Sequence, residues 1–290
     1  MQTDKTEMEL QLCDTEWPLE YIDHDRRIAR AIVVDDEGYF YFVRVERDDD
    51  FGKATLIETA GGGVEAGEAL HETILRELKE ELGVGAQILG KIGVVSDYYN
   101  LIHRHNLNHY FLCRALCFGE NHLTKDEAES FHLSSLKLTY EEAVAEYEKQ
   151  RCTPLGRLIA NRELPILHRA KAMLDRARAE GLDVIGSIVK VTVDRPLGSY
   201  HPRYQELRYP VNYGFVEGIS APDGEAQDAY ILGAREPLAE FVGRVIAIIH
   251  RADDVEEKWV VAPDGITLTR EQIAAQVAFQ EQYFDSEIRM

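Results

Sequence analysis

The pattern of apolar and polar positions divides the chain into a first part that mixes strand and helix periods and a second part of short strands. Residues 28–46 hold two apolar runs separated by Asp-Asp-Glu-Gly, which predicts a β-hairpin. Residues 90–99 and 107–118 are also rich in β-branched and aromatic residues and predict two more strands. Residues 68–82 and 140–150 repeat apolar positions at helical spacing and predict two helices.

A charged amphipathic helix is predicted over 164–181, where Gly181 forms its C-terminal stop. From Ser187 onward, short apolar runs alternate with Gly, Pro and Asp turns, and one more helix begins at about Thr269. This spacing predicts a small β-barrel that carries a C-terminal helix. We therefore expect an α+β protein with a first domain at 1–180 and a second at 187–290.

Length and charge agree with two domains and exclude some partners. A chain of 290 residues exceeds one average domain, and Asp plus Glu total 52 against 32 Lys plus Arg, a net charge of −20. Such a field repels nucleic acid and anionic membrane surfaces. The chain has no apolar stretch near the length of a spanning helix, and its four cysteines lack zinc or disulfide spacing. We expect a cytoplasmic protein without nucleic-acid or membrane partners, and a homo-oligomer is left open.

Glutamates crowd the first predicted helix at positions that a solvated face does not explain. At about 100° per residue, Glu77 and Glu81 fall at the margin of the apolar stripe, while Glu72 and Lys79 face solvent. The residues expected on the buried arc are Leu70, Ile74, Leu75, Leu78 and Leu82. The ordinary interpretation of a Glu-rich helix is an exposed charged face, and the marginal position of two carboxylates argues against it.

Three neighbouring carboxylates at the edge of a core need a compensating cation. Glu77, Glu80 and Glu81 lie within five residues and would raise one another's pKa unless a divalent metal is bound. Carboxylate oxygens suit Mg²⁺, with Mn²⁺ as the alternative. Arg76 could orient Glu68 or a helix glutamate, and the glycines from Gly61 onward let backbone groups approach a ligand.

At this point the segment resembles the Nudix box at every specified position. The match runs Gly62, five residues, Glu68, seven residues, Arg76-Glu77-Leu78, one residue, Glu80-Glu81, one residue, Gly83-Val84. The resemblance implies an α/β/α sandwich and a Mg²⁺-dependent hydrolase of nucleoside diphosphates linked to another moiety. It further implies that Glu77, Glu80 and Glu81 bind the metal and orient water, and that Arg76 and Glu68 support them. Gly61 would add a carbonyl ligand and, with Gly62, line the substrate site.

Two features near the box leave alternatives open. A further carboxylate from a later loop is common in such families, and the candidates are Asp126, Glu127 and Glu129. The segment Asp97 to Tyr110 offers aromatic, histidine and arginine side chains that could stack on a base and contact phosphate. An ordinary polar hairpin is the competing interpretation of that segment.

The second predicted domain carries acidic residues on two turns. These acids could share a divalent cation, with two tyrosines and a lysine as phosphate donors, although solvated turns are the simpler interpretation. The predicted metal ligands are Asp223, Glu225, Asp228, Asp253 and Glu256. The predicted substrate-binding residues are Tyr209, Tyr213 and Lys258.

Their order is similar to that of family I soluble inorganic pyrophosphatases, whose fold is an OB-like β-barrel. The resemblance covers about Ser187 to Pro263 and includes Tyr209-Pro-Val-Asn-Tyr213-Gly. Glu225 and Glu256 stand where the family has aspartate, and the hairpin before Tyr209 is too short to supply the family's basic phosphate ligands. A longer acidic arm displaces a bound metal in a preorganised site, so activity here is a hypothesis.

Three functions follow from these two resemblances. In the first, the Nudix domain converts a nucleoside triphosphate to the monophosphate and pyrophosphate, and the second domain hydrolyses that pyrophosphate. In the second, the barrel is a non-catalytic binding or dimerisation module beside an active Nudix domain. In the third, the protein is a nucleotide sensor in which neither site turns over.

Overall fold

The computed structural model describes residues 7–122, 133–202, 204, 206–221, 224–252 and 257–290. The chain divides into two compact units, one ending at Leu174 and the other beginning at Asp175. A mixed α+β architecture was predicted and is confirmed, because the first unit contains a sheet with helices and the second a small barrel. The domain limits 1–180 and 187–290 stay a prediction.

In the first unit, the described strands form one sheet flanked by helices. The strands are β1 (Met8–Leu12), β2 (His24–Val34), β3 (Phe40–Asp49), β4 (Gly52–Glu58), β5 (Ala60–Gly63), β6 (Val84–Tyr99), β7 (Arg104–Phe118) and β8 (Ser134–Leu138). The helices are α1 (Leu70–Leu82), α2 (Tyr140–Gln150) and α3 (Pro154–Ala179), which extends past the limit of this unit at Leu174, with a 3₁₀ turn at Asn100–Ile102. The strand order is β1-β6-β7-β2-β3-β4, with β5 on β2 and β8 on β3.

Each face of this sheet has its own hydrophobic core. On one face Ile74 and Leu78 of α1 pack with Ala31 and Val33 of β2. The opposite face packs Ile32 against residues of α2 and α3. Successive residues of a strand point to opposite faces, so the almost unbroken apolar run of β2 serves both cores.

In helix α1 the glutamates lie where the helical wheel placed them, but one leucine predicted for the core does not. Glu72 accepts a hydrogen bond from the backbone N–H of Ala69 at 2.9 Å, and Gly83 ends the helix with a φ of 66°. Leu75 is wrong as a core residue: it is 38% exposed. The predicted apolar arc was extended to include Leu75 because this residue is apolar. The structure instead buries Thr73 of the same turn completely.

Helix α3 begins about ten residues earlier than predicted and contains Pro165 within it. The predicted stop at Gly181 agrees with the structure, where this residue has a φ of 67°. The N–H of Leu182 donates to the Ala177 carbonyl at 2.7 Å, which satisfies an open helix end.

In the second unit, five described strands close on one another. They are β9 (Ile188–Arg195), β10 (Asn212–Ser220), β11 (Ala226–Ile231), β12 (Glu240–Arg251) and β13 (Glu257–Ala262), followed by α4 (Arg270–Glu281) and β14 (Ser286–Arg289). The order β13-β11-β10-β9-β12 is completed by pairing of β12 with β13, which makes a barrel. Thr269 caps α4 by accepting from the N–H of Gln272 at 3.3 Å. The predicted barrel and terminal helix are therefore confirmed, while the pyrophosphatase type stays a prediction.

The sequence-based prediction missed five strands, β1, β4, β5, β8 and β14, and two of them, β1 and β14, lie at the edges of their sheets. β1 lies parallel to β6, with Leu10 opposite Val95, and β14 pairs with β12. Both are five residues or fewer, and their partners lie far away in the chain. The pairing energy therefore comes from tertiary contacts that a local pattern does not record.

The cysteines are all free, and they differ in exposure. Cys13, Cys117 and Cys152 are exposed, whereas Cys113 is buried under α1. Burial raises the pKa of the Cys113 thiol to about 12. Among the helices of the described residues, none has the length and apolar character needed to cross a membrane.

Candidate functional site

Helix α1 turns two of its glutamates against the short strand β5. Glu77 is 8% exposed and Glu81 is 7% exposed, so both predicted marginal carboxylates are buried. The backbone N–H of Gly61 donates to Glu81 Oε2 at 2.8 Å. A hydrogen bond from the backbone to a carboxylate fixes that side chain in one orientation.

The glycines of β5 make room for Glu77 and for the neighbouring strand. A Cβ added to Gly62 would lie 2.3 Å from Glu77 Oε1. At Gly61 it would lie 2.1 Å from the carbonyl oxygen of Ala29 in β2, and this residue has a φ of 143°. The sequence predicted that these glycines admit a ligand, and the structure shows that they admit the glutamate and the paired backbone.

Arg76 joins three of the predicted carboxylates. Its Nε donates to Glu68 Oε1 at 2.9 Å. Its Nη1 donates to both Glu77 Oε1 at 2.8 Å and Glu80 Oε2 at 3.0 Å. A planar guanidinium with several donors suits this arrangement, whereas an ammonium would not hold three carboxylates in fixed directions.

Glu68 is held in its charged form at the start of α1. Hydrogen bonds from Arg76 first, and from Thr73 second, lower the pKa of Glu68 to about 2. The hydroxyl of Thr73 donates to Glu68 Oε2 at 2.7 Å. The group therefore contains four carboxylates, three on the Arg76 guanidinium and Glu81 on the Gly61 N–H, and the excess negative charge is what a divalent cation would neutralise.

The donor set fits a hard divalent cation. Carboxylate oxygens of Glu77, Glu80 and Glu81 are the ligand type that Mg²⁺ and Mn²⁺ prefer. Within the part of the chain that the structure describes, no three acidic, histidine or cysteine side chains are grouped as a metal cage. Here Arg76 links Glu77 and Glu80, so a metal would have to compete with that guanidinium. Asp126, Glu127 and Glu129 lie outside the described residues.

A buried polar network on the other face of the sheet was missed by the sequence reasoning. Arg162 of α3 is 1% exposed. It donates to Glu163 Oε1 at 2.9 Å and to Asp97 Oδ2 at 3.1 Å. Tyr99 OH accepts from its Nη1 at 2.7 Å, and Glu58 Oε2 accepts from its Nη2 at 3.3 Å. The available signal was an Arg-Glu pair flanked on both sides by apolar residues, Ile159 and Ala160 before it and Leu164 and Ile166 after it.

The segment from Asp97 to Tyr110 is mostly strand and not an open loop. Tyr99 is 5% exposed, and burial raises its pKa to about 12. His105 Nδ1 lies 2.7 Å from Asp25 Oδ1, and the other ring nitrogen lies 2.8 Å from Ser96 Oγ. For Tyr99 and His105, the structure therefore agrees with an ordinary hairpin rather than with an open ligand-binding loop.

In the second unit, three of the predicted residues form one connected group. Tyr213 OH donates to Asp228 Oδ2 at 2.6 Å, and Lys258 Nζ donates to the same oxygen. Lys258 is 3% exposed and Tyr213 is 7% exposed. Burial first, and the charge of Asp228 second, raise the pKa of Tyr213 well above its usual value.

The other predicted residues of the second unit are less connected to this group. Tyr209 is buried, with its ring centroid 5.6 Å from that of Tyr213, and Glu225 is exposed. Asp223, Asp253 and Glu256 lie outside the described residues.

Comparison with known proteins gives a domain-family match over part of the chain. Residues 25–152 match the family model of the NUDIX domain. Similar solved structures include the NUDIX hydrolase from Nitrosomonas europaea, which is 17% identical with a TM-score of 0.41 over 51% of this chain and 90% of that chain. The E. coli ORF135 protein is 24% identical with a TM-score of 0.37, and the match covers 56% of this chain and 98% of that chain. The MutT protein from Methanosarcina mazei Go1 is 16% identical with a TM-score of 0.39, and the match covers 54% of this chain and 98% of that chain. No curated protein matched the chain.

Proposed function

Taking the NUDIX domain at residues 25–152 as the premise, we propose that the first unit hydrolyses a phosphoanhydride bond with Mg²⁺. The substrate is a nucleoside diphosphate joined to another group, or a nucleoside triphosphate, and Mn²⁺ is the alternative cation. The observation that carries the proposal is the convergence of Glu68, Glu77 and Glu80 on Arg76, with Glu81 held by Gly61. A Mg²⁺ and Mn²⁺ assay over a nucleotide panel, read by phosphate and pyrophosphate release, tests it.

The residues of the first unit have separate parts in this reaction. Glu77, Glu80 and Glu81 would hold the cation, which neutralises phosphate charge and makes a bound water more acidic. Arg76 and the Gly61 N–H keep these carboxylates aligned. Water attacks phosphorus, the bond from phosphorus to the bridging oxygen breaks, and a carboxylate accepts the water proton. The leaving phosphate departs with the bridging oxygen.

Gly62→Ala is expected to reduce hydrolysis about 100-fold, because a methyl group displaces the Glu77 carboxylate from its position. The atom in the way is the end of a flexible side chain, so we expect the unfolding free energy to fall by less than about 1 kcal/mol. Steady-state kinetics and urea unfolding of the same preparation measure the two effects.

Gly61→Ala provides the matched comparison. Its new Cβ meets the Ala29 backbone, and its φ of 143° strains any side chain, so stability is expected to fall by about 1–3 kcal/mol. If Gly62→Ala lost stability as strongly as Gly61→Ala while retaining activity, Glu77 would have no place in the chemistry.

For the second unit, the proposal is hydrolysis of inorganic pyrophosphate. The observation in its favour is the group formed by Tyr213, Asp228 and Lys258, which combines a phosphate donor with a carboxylate. The alternative is a non-catalytic binding or dimerisation module. The ion pair between Lys258 and Asp228 favours this alternative, because Asp228 already compensates the charge of the buried Lys258.

Tyr213→Phe in the full chain discriminates between these two functions. The substitution removes one hydroxyl and keeps the ring, so the barrel is expected to remain folded and pyrophosphate hydrolysis to fall about tenfold. Glu236→Gln, an exposed position of the same unit, is the control. Pyrophosphate is added directly with Mg²⁺, and phosphate is measured. Absence of turnover in the parent protein supports the module.

A further inference from the structure

The chain crosses from one partner strand to another at Thr59, immediately before the glycines that contact α1. β4 pairs with β3 and ends at Glu58, whereas β5 pairs with β2 and begins at Ala60. Thr59 lies between the two strands and is 1% exposed. The position of Thr59 therefore determines where β5 begins, and with it the position of Gly61.

Arg30 of β2 holds this crossover from within the same sheet. Its Nη1 donates to the Thr59 carbonyl at 3.0 Å, and Arg30 stands opposite Gly61 in the pairing of β2 with β5. The Thr59 hydroxyl makes no hydrogen bond to the described residues, so Arg30 acts on the main chain of Thr59 and not on its side chain. A charge-assisted hydrogen bond to a main-chain oxygen is strong and directional, so it fixes the crossover in one position.

Further contacts hold the Arg30 guanidinium itself. Its Nε donates to Asn108 Oδ1 at 3.2 Å, and its Nη2 lies 3.7 Å from Glu58 Oε2. Asn108 is completely buried and donates to Asp97 Oδ1 at 2.8 Å. Asp97 and Glu58 both accept from Arg162 of α3. The guanidinium of Arg30 is therefore fixed by strand and helix residues that are themselves hydrogen-bonded.

Arg30 lies on the sheet face opposite α1 and reaches the α1 glutamates only through the sheet. In β2, Ile32 belongs to the core on the α2 and α3 face, whereas Ala31 belongs to the core under α1. Side chains two positions apart in a strand share a face, so Arg30 points the same way as Ile32. Its effect on Glu81 therefore passes through the backbone of β5, where the Gly61 N–H donates to Glu81 Oε2 at 2.8 Å.

We infer that Arg30 is a positioning residue for the candidate catalytic site: it fixes the Thr59 main chain and thereby the Gly61 N–H that orients Glu81. This inference rests on the proposed function, in which Glu81 holds the cation. Without Arg30, Glu58 keeps its contact with Arg162, so the loss acts on the crossover more than on the charge balance. A ligand that moves by about 0.5 Å no longer matches a preorganised metal site.

Hydrogen exchange at the Gly61 amide, followed by NMR in the full chain, tests the first step without turnover. In Arg30→Met, exchange at Gly61 becomes about tenfold faster, because β5 loses its fixed start and opens locally. Arg30→Lys keeps the positive charge and is the second variant if Arg30→Met does not fold. A single ammonium nitrogen cannot retain the Thr59 and Asn108 contacts together, so exchange at Gly61 is faster in this variant as well.

Leu167→Ala is the control for loss of stability alone. Leu167 is completely buried in the core that α3 forms with the sheet, and its truncation destabilises the first unit by leaving a cavity. Exchange at Gly61 stays within about twofold of the parent value in this variant, because the crossover at Thr59 keeps its contact with Arg30.

Calorimetric titration with Mn²⁺, in the absence of nucleotide, tests the second step. The Kd for Mn²⁺ rises about tenfold in Arg30→Met and stays at the parent value in Leu167→Ala, as expected when a group that orients a metal ligand is removed. In assays of hydrolysis, the Mg²⁺ concentration that gives half the maximal rate rises by a similar factor. KM for nucleotide at saturating Mg²⁺ stays within about twofold of the parent value.

These measurements separate failure of this inference from failure of the proposed function. Equal Gly61 exchange in the parent and in Arg30→Met overturns the inference. Faster exchange with an unchanged Kd for Mn²⁺ also overturns it, because Gly61 would then not determine the position of Glu81. A parent protein that hydrolyses no nucleotide, but whose Arg30→Met variant shows both changes, contradicts the proposed function and supports the positioning role of Arg30.

Discussion

Glu80→Gln is expected to reduce nucleotide hydrolysis by about 10²- to 10³-fold, the effect of removing one preorganised charged group from a reaction centre. Glu80 is the most accessible of the three helix glutamates, with 37% of its side chain exposed. Gln retains an oxygen that can accept from Arg76, so the fold should survive while the charge for the cation is lost. Initial rates with Mg²⁺, at saturating and limiting nucleotide, measure this effect.

Glu72→Gln is the control on the same helix. Glu72 is exposed and accepts from the Ala69 N–H, a role that Gln also fills. Glu77→Gln and Glu81→Gln should resemble Glu80→Gln, and combining them should add little, because groups that act as a unit are not additive. Rates no higher than the uncatalysed background in the parent and in all three single variants would instead support a nucleotide sensor without turnover.

Arg162→Met is expected to have the largest effect on stability, a loss of about 3–5 kcal/mol in the first unit. Arg162 has 1% of its side chain exposed, and it compensates Glu163, which is completely buried, and Asp97, at 6%. Met fills similar volume, so the loss reports charges left unpaired in the core. Urea unfolding followed by fluorescence of Trp17, in a Trp259→Phe background, makes the signal specific for this unit.

Two further variants test whether the stability loss in Arg162→Met comes from buried charges left unpaired. Arg157→Met removes an arginine that is 39% exposed and paired with Glu16, so the expected loss is at most about 1 kcal/mol. Adding Glu163→Gln to Arg162→Met should recover part of the loss, because one uncompensated charge is removed with its former partner. Similar losses for Arg157→Met and Arg162→Met would mean that burial does not govern this network.

Local periodicity was enough to predict α1, the first hairpin and the closure of the second unit into a barrel. It also placed Glu77 and Glu81 at the edge of the core, because a helix with an apolar stripe determines which residues flank that stripe. Periodicity ranks side chains by polarity, however, and so it assigned Leu75 to the core. The structure buries Thr73 instead, and its hydroxyl binds Glu68.

The rest of the site depends on contacts between distant segments. Arg162 meets Glu58 and Asp97 across long stretches of chain, and no local spacing records which acids an interior arginine will reach. A charged residue inside an otherwise apolar strand, such as Arg30, is the sequence signal for a buried polar network of this kind.

The four thiols of the chain provide an internal reporter of motion in the first unit. Cys13, Cys117 and Cys152 are open to alkylating reagents, whereas Cys113 lies beneath α1 with a pKa of about 12. Alkylation requires the thiolate, so the fourth modification must wait for the helix to lift from the sheet. The delay between the third and fourth adduct in intact-mass spectra therefore times the opening of the element that carries Glu77, Glu80 and Glu81.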